Sequence, residues 1–142
     1  MNQSVQSFAA LVGRLMIAAI FIISGFNKLG NFSGTAAFMS GAGLPAAEIL
    51  LVLTLLIEIG GGLMILLGLY TQSTALLIFL FMIPVTAVFH NPWGTIDPAQ
   101  AQQQMIHFLK NLAIMGGLLC LYAFGPGRFS LEARSPTAAS TI

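Results

Sequence analysis

The chain has 142 residues, of which 57% are hydrophobic and 6% charged, with a mean hydropathy of +0.92, whereas soluble domains carry about 25% charged residues. Five Lys/Arg and four Asp/Glu are scattered singly, giving a net charge of +1 and no basic run to neutralise phosphates, so nucleic acid is excluded as a partner. The single cysteine, Cys120, excludes an internal disulfide, a CxxC redox pair and a thiolate metal cage.

Four segments are long and apolar enough to cross a hydrocarbon core of about 30 Å as helices. The sequence therefore predicts an all-α membrane protein, a four-transmembrane-helix bundle forming one domain over residues 1–130. The first span is placed at residues 8–29. It has no positive leader region and no small-residue cleavage site, and Arg14 lies inside it, so it reads as a retained span rather than a cleaved signal. At a spacing of seven, Arg14, Phe21 and Lys28 share one face, with Ala18 and Gly25 between them. That stripe is cationic at both ends and narrow in the middle.

The stretch "GNFSGTAAFMSGAGL" from Gly30 to Leu44 is too polar and glycine-rich to span. It predicts a short interfacial helix capped by Ser33 and ended by Gly41, with Pro45 in the first turn of the second span. The second span, residues 46–69, carries Glu58 near its middle, with Thr54, Gly61 and Gly62 on or beside the same face. The "GGG" run marks a close-packing surface. The few residues around "YTQS" make the third span, 72–89, an antiparallel neighbour of the second, and Thr86 and His90 fall on one side of it beyond a kink expected at Pro84. Asp97 then reads as an N-cap and Pro98 as a first helical residue. A helix from there to Phe124 measures about 40 Å, so its Gln-rich first turns stand clear of the hydrocarbon and the span proper covers 105–124. His107, Lys110, Asn111 and Ile114 form one face of this fourth span, and Gly116 and Gly117 a packing surface. "GPG" at 125–127 stops it, and the Ser/Thr/Ala-rich residues 131–142 read as a disordered tail.

With four spans both termini lie on one side, and Arg128 and Arg134 against Lys28 place that side in the cytoplasm by the positive-inside rule. On a common depth axis Glu58 is then central. Arg14 lies about one helical turn inward and Lys110 about one turn outward, with His90, His107 and Lys28 at the outer rim. A charge facing lipid at the bilayer centre costs about 2.5–3.5 kcal/mol on the lenient insertion scale, so Glu58 must face inward. Two readings follow. Glu58 pairs with Arg14 or Lys110 to fix helix register, or these groups line a polar chamber for a ligand head group. In the second reading Glu58 accepts a proton or hydrogen bond, Arg14 and Lys110 hold it charged or polarise a carbonyl, and His90 or His107 connects the chamber to water; Lys28 and Asn111 complete the set of candidate binding residues. Two histidines without a third ligand or a thiolate argue against a metal site and against haem.

Four stretches, "GRLMIAAIFIISGFNKLGN", "GTAAFMSGAGLPA", "EIGGGLMILLGLYT" and "FLKNLAIMGGLL", in this order and spacing over most of residues 10–124, resemble the DoxX family of small four-span membrane proteins. The resemblance places Arg14, Lys28, Glu58 and Lys110 at that family's polar positions. It implies an accessory subunit of a quinone-linked membrane redox system in the bacterial inner membrane, with links to oxidative-stress defence. Quinone, membrane lipid, other redox-complex subunits or a second copy of the chain would be the partners, and no cofactor is built in. A more distant likeness to eukaryotic four-span cargo receptors and assembly chaperones implies the alternative, a non-catalytic assembly factor or scaffold.

Overall fold

The computed structural model describes residues 2–134. Helix α1 spans Gln3–Gly30, α2 Phe32–Gly41, α3 Ala47–Leu67, α4 Thr71–Phe89 and α5 Pro98–Phe124. All but the short α2 are long and apolar enough to cross a membrane. Successive long helices run antiparallel; α3 packs against α1 and α4, and α5 against α4 and α1, which closes a four-cornered bundle. The outward faces are apolar: Phe8, Met16 and Ile23 on α1 are 61%, 70% and 60% exposed. Exposed apolar rings and chains along a whole helix are stable in lipid and not in water.

Local chemistry sets the helix ends. The side chain of Asn2 accepts a hydrogen bond from Ser4 N at 3.3 Å, so α1 starts five residues before the expected boundary at residue 8. α2 begins at Phe32, with Asn31 rather than Ser33 as its N-cap residue; Asn31 O accepts from Thr35 N at 2.9 Å and from the Thr35 hydroxyl at 2.8 Å. Pro45 sits in the turn before α3 and not in its first turn, because Ala46 adopts a left-handed conformation (φ 49°) and α3 starts only at Ala47. α4 and α5 follow the sequence reading more closely. Pro98 is the first residue of α5, Asp97 Oδ1 accepts from Ala99 N at 3.4 Å, and Gly125 (φ 74°) ends the helix.

Inside α3 the residues Leu56–Gly61 form a π-helical segment, with Glu58 within it. Gly61, the last residue of that segment, and Gly62 just after it serve different neighbours. A Cβ on Gly61 would lie 2.9 Å from Ile78 of α4, and one on Gly62 would lie 2.8 Å from Ile22 of α1, whereas Gly60 faces open space. The "GGG" contact surface is thus two glycines wide.

The main core joins Ala18 and Phe21 to Ile65, Ala75, Ile78, Met82, Leu118 and Leu121. A smaller cluster of Ala36, Met39, Leu51 and Leu55 fastens α2 along the first half of α3. At the terminal end Leu131 N donates to Leu67 O and Glu132 N to Gly68 O, at 3.1 and 3.0 Å. Residues 131–134, expected to open a disordered tail, are therefore docked on the α3–α4 turn; the rest of that expected tail, 135–142, lies outside the described residues.

Candidate functional site

Glu58 is the carboxylate that the bilayer argument requires to be paired, and its partner is Lys28. Lys28 Nζ donates to both carboxylate oxygens at 2.9 Å and to Ser24 Oγ at 2.5 Å. The Glu58 side chain is 8% exposed and that of Lys28 30%. The expected partners, Arg14 or Lys110, do not reach it. The reason lies in α1: a Cβ on Gly25 would meet Ile59 Cγ1 at 2.5 Å and Glu58 Cβ at 3.4 Å, so glycine lets the two backbones close at that level. Lys28, one turn further on, is then beside Glu58, while Arg14 is about 21 Å away along the same helix.

A cavity of about 280 Å³ borders this pair. Its polar wall is formed by Ser24 and Lys28 of α1 with Thr54 and Glu58 of α3. Phe21, Phe81, Val85 and Phe89 supply apolar surface, and Thr35, Phe38 and Met39 of α2 cover one end. Across from the pair stand His90, Lys110, Asn111 and Ile114. Asn111 is fixed by donating from Nδ2 to Thr86 Oγ1 at 3.0 Å. His90 Nδ1 lies 3.2 Å from Gln104 Oε1, which leaves Nε2 as the ring nitrogen without a partner among the described residues. The His90 and His107 rings lie side by side with centroids 5.1 Å apart, and Lys110 Nζ is 3.4 Å from His107 Nδ1. Of all the lining residues only Ile20, Phe38 and Lys110 are exposed. They belong to α1, α2 and α5, and two of the three are apolar.

The sequence-derived site thus divides. Lys28, Glu58, His90, Lys110 and Asn111 surround one cavity, and His107 stands beside His90 at its edge. Arg14 is elsewhere: it is 1% exposed at the terminal end, where Nη2 donates to Phe129 O at 2.6 Å. Its Nε and Nη1 have no partner among the described residues, and neither does the buried hydroxyl of Thr71. Two features escaped the sequence reading. Ser24 was legible in principle, four residues before Lys28 on the same face. The roofing by α2 depends on packing against α3 and leaves no local signal.

Comparison with known proteins places this arrangement in a family. A family model described as DoxX matches residues 9–91. The chain belongs to the DoxX family. The DoxX match includes Arg14, Lys28, Glu58 and His90, and stops before α5 with its His107, Lys110 and Asn111. Among similar proteins, Inner membrane protein YqjF of Escherichia coli strain K12 is 34% identical over 130 residues, covering 92% of this chain and 94% of that one. Inner membrane protein YphA of the same strain is 32% identical over 124 residues, covering 87% and 88%. The Surfeit locus protein 4 homolog of Drosophila melanogaster is 31% identical over 77 residues, 52% of this DoxX chain and 28% of the fly protein. No solved structure matches.

Proposed function

We propose that this DoxX protein binds a quinone or similar lipophilic small molecule in the cavity beside Lys28 and Glu58, as an accessory subunit of a quinone-linked redox system in the bacterial inner membrane, with both termini in the cytoplasm. The carrying observation is the cavity itself: about 280 Å³, aromatic on its apolar walls and polar at two facing positions. That volume is near the lower end of the roughly 300–1,000 Å³ of small-molecule sites and suits a ring-sized head group. The Lys28–Glu58 pair satisfies itself, so the groups left for a ligand are the Lys110 ammonium and His90 Nε2. A carbonyl oxygen suits the first and a ring hydroxyl the second. The redox setting draws on the family resemblance of the sequence.

The pairing of both Glu58 oxygens favours a second reading, in which the pair fixes helix register in a non-catalytic scaffold or assembly factor. Ligand occupancy separates the two. Native mass spectrometry of the protein purified with added short-tail quinone is expected to show a bound quinone. A Thr54→Phe variant, which fills the cavity from α3, is expected to lose it while unfolding as the wild type does. A wild-type protein that carries no quinone, or a variant that still carries it, overturns the proposal.

A further inference from the structure

We infer that the cavity selects amphiphiles with an anionic polar end, admitted sideways from the lipid between α1 and α5. The inference rests on the reading that the cavity takes a lipophilic small molecule, and it does not require that molecule to be a quinone. Charge is the first observation. The titratable groups facing the cavity are Lys28 from α1, Glu58 from α3, His90 from α4 and Lys110 from α5, and α2 contributes none. Lys28 and Glu58 neutralise each other at 2.9 Å, and His90 is committed to Gln104 through Nδ1. Lys110 is left over. Its one hydrogen-bond partner among the described residues is the imidazole of His107 at 3.4 Å, and no described carboxylate lies within ion-pair distance. An ammonium at the edge of an aromatic cavity in low-dielectric surroundings gains most from an anion, because a charge-assisted hydrogen bond is about twice as strong as a neutral one.

The exposed part of the lining is the second observation. It consists of Ile20, 36% exposed, Phe38, 66% exposed, and Lys110. A small hydrophilic anion finds no partner on the two apolar side chains. A hydrocarbon tail does, and it can lie along the α1–α5 seam while the head rests against Lys110. A carboxylate, a phosphate or an ionised ring hydroxyl all meet this description, whether carried by a free single-chain acid or by an anionic phospholipid of the bilayer.

The test uses the full chain in nanodiscs of zwitterionic phosphatidylcholine, with a fluorescent polyene fatty acid and its methyl ester as probes. The acid is expected to bind about tenfold more tightly than the ester, and Lys110→Gln to remove that preference by weakening the acid about tenfold more than the ester. Displacement of the acid by phosphatidylglycerol added to the discs would assign the bilayer lipid as the source of the anion. Displacement by free oleate alone would assign a single-chain acid. Equal binding of acid and ester, or a preference that survives Lys110→Gln, overturns the inference and leaves Lys110 as a side chain that reaches to the membrane surface. Failure of both probes to bind also overturns the inference, while the quinone measurement decides the reading of the cavity as a ligand site.

Discussion

Removing the Lys28 ammonium should be the most destabilising conservative change in the membrane-embedded part of the chain, and its cost can be worked from the pair's geometry. Lys28→Met keeps most of the aliphatic stem and removes the charge that meets both Glu58 oxygens at 2.9 Å. Two unit charges at that separation attract by about 6 kcal/mol at an effective dielectric of about 20. Desolvation of Glu58, 8% exposed, cancels much of that gross attraction. Breaking a buried pair typically costs about 3–5 kcal/mol, since the surviving charge is left uncompensated. Because Lys28 keeps 30% exposure, we expect the lower end, about 3 kcal/mol for Lys28→Met. Glu58→Gln should cost about 2 kcal/mol, because the surviving ammonium retains Ser24 and an open side. The double variant should also cost about 2 kcal/mol in place of the additive 5, a coupling of about 3 kcal/mol. Unfolding in mixed micelles titrated with SDS measures all four corners of this cycle. Additivity within about 0.5 kcal/mol would refute the claim that the two side chains form one energetic unit.

Two further outcomes test the packing and the terminal latch. Gly25→Ala should destabilise by about 1–3 kcal/mol, because its methyl enters Ile59 at the level of Glu58, whereas Gly60→Ala, which meets nothing within 4 Å, should be neutral or stabilising by up to about 1 kcal/mol in the same SDS titration. Arg14→Gln should release the terminal segment: the amides of Leu131 and Glu132, which donate to Leu67 and Gly68, should lose hydrogen-exchange protection while amides in the middle of α4 keep theirs.

The long helices were legible because twenty-residue apolar runs have no alternative in lipid, and the N-cap at Asp97 and the stop at Gly125 because each rests on one residue's own chemistry. That Glu58 faces inward was legible for the same reason, as a lone carboxylate in an uncharged run. Its partner was not. Depth along each helix was estimated as though the spans were level, and the outcome depended on where α1 and α3 touch, which Gly25 decides. Arg14 illustrates the same limit from the other side. A cation on the correct helical face was assigned to the chamber, but the turn at Gly68 (φ 69°) and the returning Phe129 carbonyl claim it at the opposite end. The place of Pro45 outside the first turn of α3 was missed because a left-handed alanine carries no residue signal.

The π-helical turn around Glu58 makes α3 two half-helices with separate phase. An extra residue rotates everything before it by about 100° relative to everything after it. The half before the turn sets Leu51 and Leu55 against α2, and the half after it sets Gly62 and Ile65 toward the main core. A strictly α-helical segment would have to aim both halves by one common phase. Gly60, on which a Cβ would meet nothing within 4 Å, lies in this turn. Losing it would rotate α2's seat away from α2, and the lid over the cavity would be the first part of the structure displaced.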